Sequence, residues 1–227
     1  MRYRRPVVAL AVLTAVMLCV VLPGCSNSST SKTSQATKPK ESTPMSTPSS
    51  TPGAKLGPDG KPLKTLADFP NDQDGANVEA VINTAKGDIV IQFFPDSAPI
   101  TVANFVHLAR EGFYNGTSFH RVVPGFVVQG GDPLSKNPNA SNVGTGGPGY
   151  NIPGEFSARK HETGSVAMAR SQSVDSGGSQ FYICLAAQPS LDGQYAVFGQ
   201  VVSGMDVVNQ IVQGDVMNSV TIRPKSS

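Results

Sequence analysis

The sequence has no tryptophan, and only three of its 227 residues are cysteine. Cys19 lies in an N-terminal apolar run and Cys25 lies just after it, so Cys184 is the one thiol left in the part of the chain that we expect to fold. This count excludes an internal disulfide there. Because Cys184 lies within the apolar run from 181 to 185, we predict a buried and unreactive thiol.

Histidine is equally scarce, and its pattern argues against metal chemistry. His107, His120 and His161 are far apart, and none belongs to a His, Cys, Asp or Glu cluster with metal-ligand spacing. No serine lies in the strand-to-helix turn that carries the nucleophile of many hydrolases. The sequence therefore predicts no metal site, no cofactor and no hydrolase.

The glycine-rich stretch 144–149 matches the pattern G-x-G-x-x-G of dinucleotide-binding proteins. In those proteins the pattern opens a helix whose N-terminus holds the phosphates. Pro148 and Pro153 make such a helix unfavourable here. We therefore interpret the stretch as a glycine-rich loop.

The chain also lacks a large excess of charge. Its 18 lysines and arginines accompany 16 acidic residues, but Arg2, Arg4 and Arg5 lie in a segment that we expect to be removed. The remainder has 15 basic and 16 acidic residues and no basic stripe. No nucleic acid is therefore predicted as a partner, nor an anionic membrane surface for the folded part.

The N-terminus has the features of an export signal. The three arginines precede an uncharged apolar run from 7 to 21, which has the length of a signal-peptide core and is short for a membrane span. The run ends in Leu22-Pro23-Gly24-Cys25, which resembles the lipobox of bacterial lipoproteins, although Pro23 departs from the small residue usual there. We predict a signal peptide over 1–24 and an acylated Cys25 that holds the protein in the lipid bilayer, at the extracytoplasmic face of the cell membrane. An ordinary signal peptide with an incidental cysteine is the alternative.

A polar segment follows the signal. From Ser26 to about Lys64 the residues are mostly Ser, Thr, Pro, Lys and Gly, without an aromatic side chain. Such a composition cannot bury enough apolar surface to offset its ordering entropy. We predict a disordered Ser/Thr/Pro-rich linker over 25–74 and a single folded domain over 75–227, with tolerated low complexity as the alternative role of the linker.

The domain is predicted to be mainly β. Two apolar runs that flank 84–87 indicate a β-hairpin, and one amphipathic helix is predicted from Pro99 to about Gly112. A second short helix is predicted from about Met205 and ends before Gly214. Many short strands with two helices indicate a closed antiparallel barrel or a sandwich, and periodicity does not choose between them. Further strands are predicted at 119–123, 126–129, 165–169, 180–185, 196–202 and 220–222.

Three ordered blocks dominate the domain. They are Phe119-His120-Arg121-Val122-Val123-Pro124-Gly125-Phe126-Val127-Val128-Gln129-Gly130-Gly131-Asp132, then Met168-Ala169-Arg170 with Gly178-Ser179-Gln180-Phe181-Tyr182-Ile183, then Leu191-Asp192-Gly193-Gln194-Tyr195-Ala196-Val197-Phe198-Gly199. In order and spacing they resemble the cyclophilin family of peptidyl-prolyl cis-trans isomerases, over about 77–224. The resemblance implies a closed eight-stranded antiparallel β-barrel capped by two α-helices.

The resemblance also implies a function and a site. The enzyme would accelerate rotation about X-Pro bonds in proline-containing segments of exported proteins, with Arg121 as the catalytic residue. A permanently charged guanidinium suits this role, because the prolyl nitrogen regains a lone pair when the amide twists. The implied substrate-binding residues are His120, Phe126, Val127, Gln129, Ala169, Arg170, Gln180, Tyr182, Leu191 and Tyr195.

Each assignment has an alternative. Phe126 and Leu191 could be ordinary core residues, Gln129 could only support Arg121, and His120 could be structural. A cyclophilin-fold module that binds proline peptides without catalysis is the main alternative function, and a purely structural envelope protein is another.

The chain departs from the best-known eukaryotic members of the family at four positions. Ser190 and Tyr195 stand where those members carry Trp and His, Tyr182 replaces a usual Phe, and Arg170 stands where Asn is common. Because Ser190 lacks both the apolar surface and the N–H donor of an indole, we predict weak or no binding of cyclosporin A. Arg121 and the apolar residues of the site are retained, so isomerase activity is expected.

Overall fold

The computed structural model describes residues 55–226. The predicted signal peptide, Cys25 and most of the predicted linker lie outside these residues. Between Lys55 and Ser226, no helix combines the length and the apolar content needed to cross a bilayer.

One eight-stranded sheet organises the domain, as expected for a mainly β protein. All neighbouring strands are antiparallel, in the order β3-β4-β6-β5-β7-β2-β1-β8. The strands are β1 (Val78–Thr84), β2 (Gly87–Phe93), β3 (Arg121–Val123), β4 (Val127–Gly130), β5 (Ser165–Met168), β6 (Phe181–Cys184), β7 (Val197–Ser203) and β8 (Met217–Pro224). The helices are α1 (Pro99–Arg110) and α2 (Met205–Val208), and short 3-10 turns span Leu66–Asp68, Pro133–Lys136 and Pro189–Leu191.

The prediction of a closed barrel is wrong. The sheet curls into a half-barrel whose first and last strands, β3 and β8, share no ladder. An isolated bridge between Ser118 and Val216 and a few backbone hydrogen bonds join the segment before β3 to the start of β8, among them the Met217 N–H to the Thr117 carbonyl at 2.8 Å. Along β8 itself, the Asn115 side chain accepts a hydrogen bond from the Val220 N–H at 2.9 Å, so a side chain occupies an edge donor that a closing strand would have used.

Helix α1 begins where the sequence predicts, with Pro99 in its first turn. Its N-cap, Ala98, has no side chain that can accept a hydrogen bond. The carboxylate of Glu155 instead accepts from the Ile100 N–H at 2.9 Å and the Thr101 N–H at 2.7 Å. A negative charge at this position also interacts favourably with the helix dipole.

An aromatic cluster fills the inner side of the curled sheet. Phe105 of α1 is fully buried, and its ring lies 5.3 Å from that of Phe181, 5.4 Å from Phe198 and 4.9 Å from Tyr114. Truncation of such a residue to alanine costs roughly 3–5 kcal/mol. This cluster fixes β6 and β7 against the helix.

Where β4, β5 and β6 run together, the sheet buries both faces. Val128, Phe181 and Ile183 point into the inner core, whereas Val127 and Tyr182 belong to a second apolar cluster on the opposite face. The alternation follows from the two-residue period of a β-strand. The second cluster forms the floor of the site described below.

Part of the segment predicted as linker packs on the domain. Phe69 is fully buried, and the Lys64 Nζ lies 4.1 Å from the centroid of the Tyr150 ring. A bridge joins Leu63 to Asn151. The difference from the prediction has a local cause, because Phe69 is the first aromatic residue after the polar tract and supplies the apolar surface that the tract lacks.

Candidate active site

The strand register sets Arg121, Gln129 and Tyr182 side by side. Arg121 of β3 pairs with Gln129 of β4, and Gln129 pairs with Tyr182 of β6. Tyr182 in turn pairs with Ala167 of β5. Directly opposed residues project from the same face of a sheet, so these side chains form one row across four strands.

The turn between β3 and β4 adds Phe126 to this row. Gly125 has a φ of 69°, a conformation that favours glycine, and the Phe126 N–H donates to the Val123 carbonyl at 3.0 Å. This turn places the Phe126 ring 5.8 Å from the Arg121 Cζ. An apolar ring and a guanidinium therefore lie next to each other at the end of the hairpin.

A cavity of about 190 Å³ lies over the second apolar cluster. Apolar side chains and a few polar groups line it together, as is common in ligand pockets. All the residues that line it were predicted as site residues from the sequence. They are Arg121, Phe126, Val127, Gln129, Ala169, Arg170, Tyr182, Leu191 and Tyr195.

The two arginines of the cavity differ in their availability. Arg170 donates from Nε to the Gln194 carbonyl and from Nη1 to the Ser171 carbonyl, both at 3.0 Å, and its Cζ lies 4.8 Å from the centroid of the Tyr195 ring. Within residues 55–226, Arg121 has no hydrogen-bond or ion-pair partner, and it is exposed. Arg121 is therefore the guanidinium that is free to donate to a ligand.

Gln129 is oriented by a chain of side-chain hydrogen bonds. Its Nε2 donates to the Gln180 Oε1 at 3.0 Å, and the Gln180 Nε2 donates to the carbonyls of Gly144 and Gly146 at 3.0 and 2.9 Å. With its amide nitrogen engaged in this way, Gln129 keeps its carbonyl oxygen as an acceptor for a ligand.

A second cavity of about 350 Å³ adjoins the first and shares Gln129, Ala169 and Arg170 with it. Gln180 lines this cavity rather than the first. The stretch 144–147 forms part of its wall as a loop, which confirms the loop interpretation of the glycine-rich pattern.

The structure places His120 apart from the other predicted residues, since it lines neither of these cavities. Both of its ring nitrogens are buried and have no hydrogen-bond partner within residues 55–226. Burial lowers the pKa of His120, which favours the neutral imidazole near neutral pH.

Several residues of this region were not predicted from the sequence. Asp59 and Lys61, which form an ion pair at 2.6 Å, line the second cavity but lie in the segment predicted as linker. His161 lies outside the first cavity and contacts the Tyr182 hydroxyl and Asp192. Asp192 belongs to the third ordered block, but His161 belongs to no motif. Among residues 55–226, no group of three or more His, Cys, Asp or Glu side chains could hold a metal ion.

Residues 79–226 match the family described as cyclophilin type peptidyl-prolyl cis-trans isomerase/CLD. A peptidyl-prolyl cis-trans isomerase of Helicobacter pylori is 44% identical over 168 residues, which cover 72% of this chain and 98% of that protein. Peptidyl-prolyl cis-trans isomerase B of Bacillus subtilis is 47% identical over 136 residues, covering 59% of this chain and 90% of that protein.

A solved structure has a similar fold. The crystal structure of a Cryptosporidium parvum cyclophilin type peptidyl-prolyl cis-trans isomerase matches with a TM-score of 0.58 and 26% identity, and the match covers 66% of this chain and 99% of that one. A crystal structure of the same isomerase in the presence of the dipeptide Ala-Pro matches with a TM-score of 0.55 and 27% identity, over 66% and 99% of the two chains.

Proposed function

The chain belongs to the cyclophilin-type peptidyl-prolyl cis-trans isomerase family, and we propose that it catalyses X-Pro rotation in the 190 Å³ cavity, with Arg121 as the catalytic residue. The observation that carries this assignment is the position of a guanidinium without a partner among residues 55–226, which lines the cavity beside Phe126 and opposite Gln129.

The reaction breaks no covalent bond. Rotation about the X-Pro amide has a barrier of roughly 18–20 kcal/mol, because resonance must be lost. In the twisted state the prolyl nitrogen regains its lone pair. A donor held near that nitrogen stabilises the twisted state more than either planar state, and this difference is what lowers the barrier.

The cavity supplies the two functions that this mechanism requires. Phe126, Val127, Tyr182 and Leu191 form the apolar surface against which a proline ring would pack. Arg121 would donate to the prolyl nitrogen, and the carbonyl oxygen of Gln129 would accept from the peptide backbone. Proton transfer is not needed, which agrees with the position of His120 outside the cavity.

Exchange spectroscopy on a peptide such as Ala-Ala-Pro-Phe tests the function directly. Uncatalysed exchange takes tens to hundreds of seconds, so catalytic amounts of the chain should bring it into the measurable range. Saturable binding of the peptide without faster exchange would instead support a binding module that does not catalyse.

We further propose that the substrates are proline-containing segments of exported proteins and that an acylated Cys25 anchors the enzyme in the bilayer. The export-like N-terminus and the lipobox-like tetrapeptide 22–25 support this placement. The Ala-Pro dipeptide named for the Cryptosporidium structure supports the class of substrate. A linker would let the domain reach clients at a distance from the membrane.

Weak binding of cyclosporin A is also part of this proposal. Ser190 is exposed and lies next to Leu191, which lines the cavity. A serine offers little apolar surface and no indole N–H at this rim. A large apolar ligand would therefore lose contact area here, whereas a proline ring deeper in the cavity would not.

A further inference from the structure

A buried histidine lies directly behind the proposed proline pocket. The His161 side chain is fully buried, and its two ring nitrogens contact residues from two different elements. Its Nδ1 lies 3.1 Å from the Asp192 Oδ1, and its Nε2 lies 3.1 Å from the Tyr182 hydroxyl. The mechanism proposed above makes no use of this imidazole.

The contact with Asp192 fixes the direction of one hydrogen bond, and for a neutral ring the direction of the other follows from it. An ionised carboxylate accepts hydrogen bonds and cannot donate them, so the Nδ1 of His161 must carry a proton and donate it to Asp192. In the neutral ring, Nε2 is then the acceptor, and the Tyr182 hydroxyl donates to it. Asp192 is held further by the His161 backbone N–H at 2.9 Å and by the Lys160 Nζ at 3.2 Å.

The two partners of His161 belong to different elements, and each of these elements contributes residues to the cavity. Tyr182 lies on β6, and its ring forms part of the floor. Asp192 follows Leu191 directly and precedes Tyr195, and both of these neighbours line the cavity. The Gln188 N–H also donates to the His161 carbonyl at 2.7 Å, and this bond fixes the start of the loop that carries Asp192. One imidazole thus connects the floor to the 188–195 loop.

The aromatic rings reinforce this connection. The His161 ring is stacked on the Tyr182 ring, with a centroid distance of 6.1 Å and an interplanar angle of 14°. Tyr195 meets both rings edge-on, at 5.8 Å from Tyr182 and 6.4 Å from His161. A shift of the imidazole would therefore move two walls at once.

We propose that His161 is a positioning residue for the isomerase, which aligns Tyr182 with the loop carrying Leu191 and Tyr195 through the hydrogen-bonded series Tyr182–His161–Asp192. This inference rests on the proposed function of the cavity. His161 would affect the binding of the proline ring indirectly, through Tyr182 and the loop. It would not take part in the rotation step, which is assigned to Arg121.

Two substitutions separate the two hydrogen bonds. In His161→Asn the amide nitrogen takes the place of Nδ1 and can keep the bond to Asp192, but the acceptor for Tyr182 is lost. In His161→Gln the terminal amide takes the place of Nε2 and can keep the bond to Tyr182, but the donor to Asp192 is lost. Tyr182→Phe removes only the hydroxyl from the other side.

The full-length chain and these variants are compared by exchange spectroscopy on the same peptide. We expect KM to rise about tenfold in His161→Asn and in Tyr182→Phe, as expected for loss of one buried hydrogen bond, with kcat within about twofold of the parent. The variant that combines His161→Asn with Tyr182→Phe should show no larger rise in KM than either single variant, because both substitutions remove the same hydrogen bond. An unchanged KM in His161→Asn, or additive effects in the double variant, would overturn the proposal.

His107→Asn is the matched control for a general loss of stability. The His107 Nδ1 also contacts an aspartate, at 3.0 Å from the Asp72 Oδ2, but this pair joins α1 to the N-terminal segment and lines neither cavity. It should lower the melting temperature without changing KM. An equal rise of KM in His107→Asn would show that His161 acts only through stability, and would contradict the proposal.

Nitrogen NMR of the unsubstituted chain gives a readout that does not depend on variants or on activity. The neutral His161 ring should carry its proton on Nδ1. A proton on Nε2 would contradict the assigned direction of both hydrogen bonds. Should the parent chain fail to catalyse exchange, the proposed function fails, whereas peptide affinity and the NMR signature still test the positioning role.

Discussion

Arg121 lies directly opposite Gln129 in the ladder between β3 and β4, and this pairing places a guanidinium beside the proposed proline pocket. The two side chains project from the same face of the sheet, and Gln129 is in turn held by Gln180 at 3.0 Å. The guanidinium itself has no partner within residues 55–226, so its donors are directed by the strand and not by a salt bridge.

Arg121→Ala should therefore inactivate the enzyme and leave it folded. Removal of one preorganised donor costs roughly 10²- to 10³-fold in rate, and we expect a loss of that order in kcat/KM. Since Arg121 is exposed, the free energy of unfolding should change by no more than about 0.5 kcal/mol. Exchange spectroscopy and a thermal melt on the same samples measure both quantities.

Arg170 provides the matched control for this substitution. It lines the same cavity, but its guanidinium is already bound to backbone carbonyls. Arg170→Ala should lower stability more and kcat less than Arg121→Ala. Arg121→Lys should recover only part of the activity, because an ammonium lacks the planar fork of donors. Parental exchange rates in Arg121→Ala would refute the catalytic role.

Gln180→Ala should weaken substrate binding by releasing Gln129. The Gln180 amide joins Gln129 to the carbonyls of Gly144 and Gly146, so its loss frees the side chain that would accept from the peptide backbone. We expect the Kd of the peptide to rise roughly three- to tenfold and the free energy of unfolding to fall by about 1 kcal/mol. Calorimetric titration of the peptide checks the first value. Unchanged affinity would show that Gln129 needs no such support.

The predicted site residues come from the resemblance of three ordered blocks to the cyclophilin family, and nine of them line one cavity. Phe126 and Gln129 are close in the chain, and the hairpin brings them to one cavity. The strand register then places Tyr182 beside them. The family resemblance named these residues, and the strand register accounts for their arrangement around one cavity.

Other features depend on contacts between distant parts of the chain. Closure of the barrel would have required a ladder between β3 and β8, but β3 is only three residues long, and Asn115 occupies the Val220 N–H at the edge of β8. Neither fact can be seen from apolar periodicity. The series Tyr182–His161–Asp192 likewise joins positions 21 and 31 residues from His161, without a motif that links them.

Ser190→Trp should tighten the binding of cyclosporin A. Ser190 is exposed at the start of the loop that carries Leu191, and its carbonyl accepts from the Gln194 Nε2 at 2.6 Å, so a larger side chain can be placed there without disturbing the core. A packed indole adds apolar contact and one donor, for which we expect at least a tenfold gain, or about 1.4 kcal/mol. Isothermal titration calorimetry measures this gain in affinity. Nanomolar affinity in the unsubstituted chain would contradict this account.

Cys25→Ser tests the proposed anchor. Without the thiol no acyl chain can be attached at this position, so the variant should leave the membrane fraction or accumulate with its signal uncleaved. Cell fractionation and gel mobility distinguish these outcomes from the parent. Cys19→Ser, within the predicted signal core, serves as the control and should change neither the fractionation nor the gel mobility. Identical fractionation of parent and Cys25→Ser would exclude lipidation at Cys25.

Cys184 should react very slowly with thiol reagents as long as the domain is folded. The residue is fully buried in the apolar cluster beneath the pocket, and this burial raises its pKa to about 12 from an ordinary value near 9. Because the thiolate is the reactive form, a rise of this size lowers the reactive fraction at pH 8 by about 10³-fold. Peptide mass spectrometry after timed labelling of the full chain measures Cys184 separately from the other cysteines. The same shift predicts a loss of stability at alkaline pH, since above pH 9 the unfolded chain releases this proton while the folded chain retains it. Below the pKa that the thiol has in the unfolded chain, this loss of stability is absent. The loss grows as the pH rises from there toward the pKa of the folded chain, and Cys184→Ala should abolish this pH dependence. Labelling of the native chain as fast as that of the chain in urea would show that the thiol is accessible, and that the floor of the pocket is not closed as described.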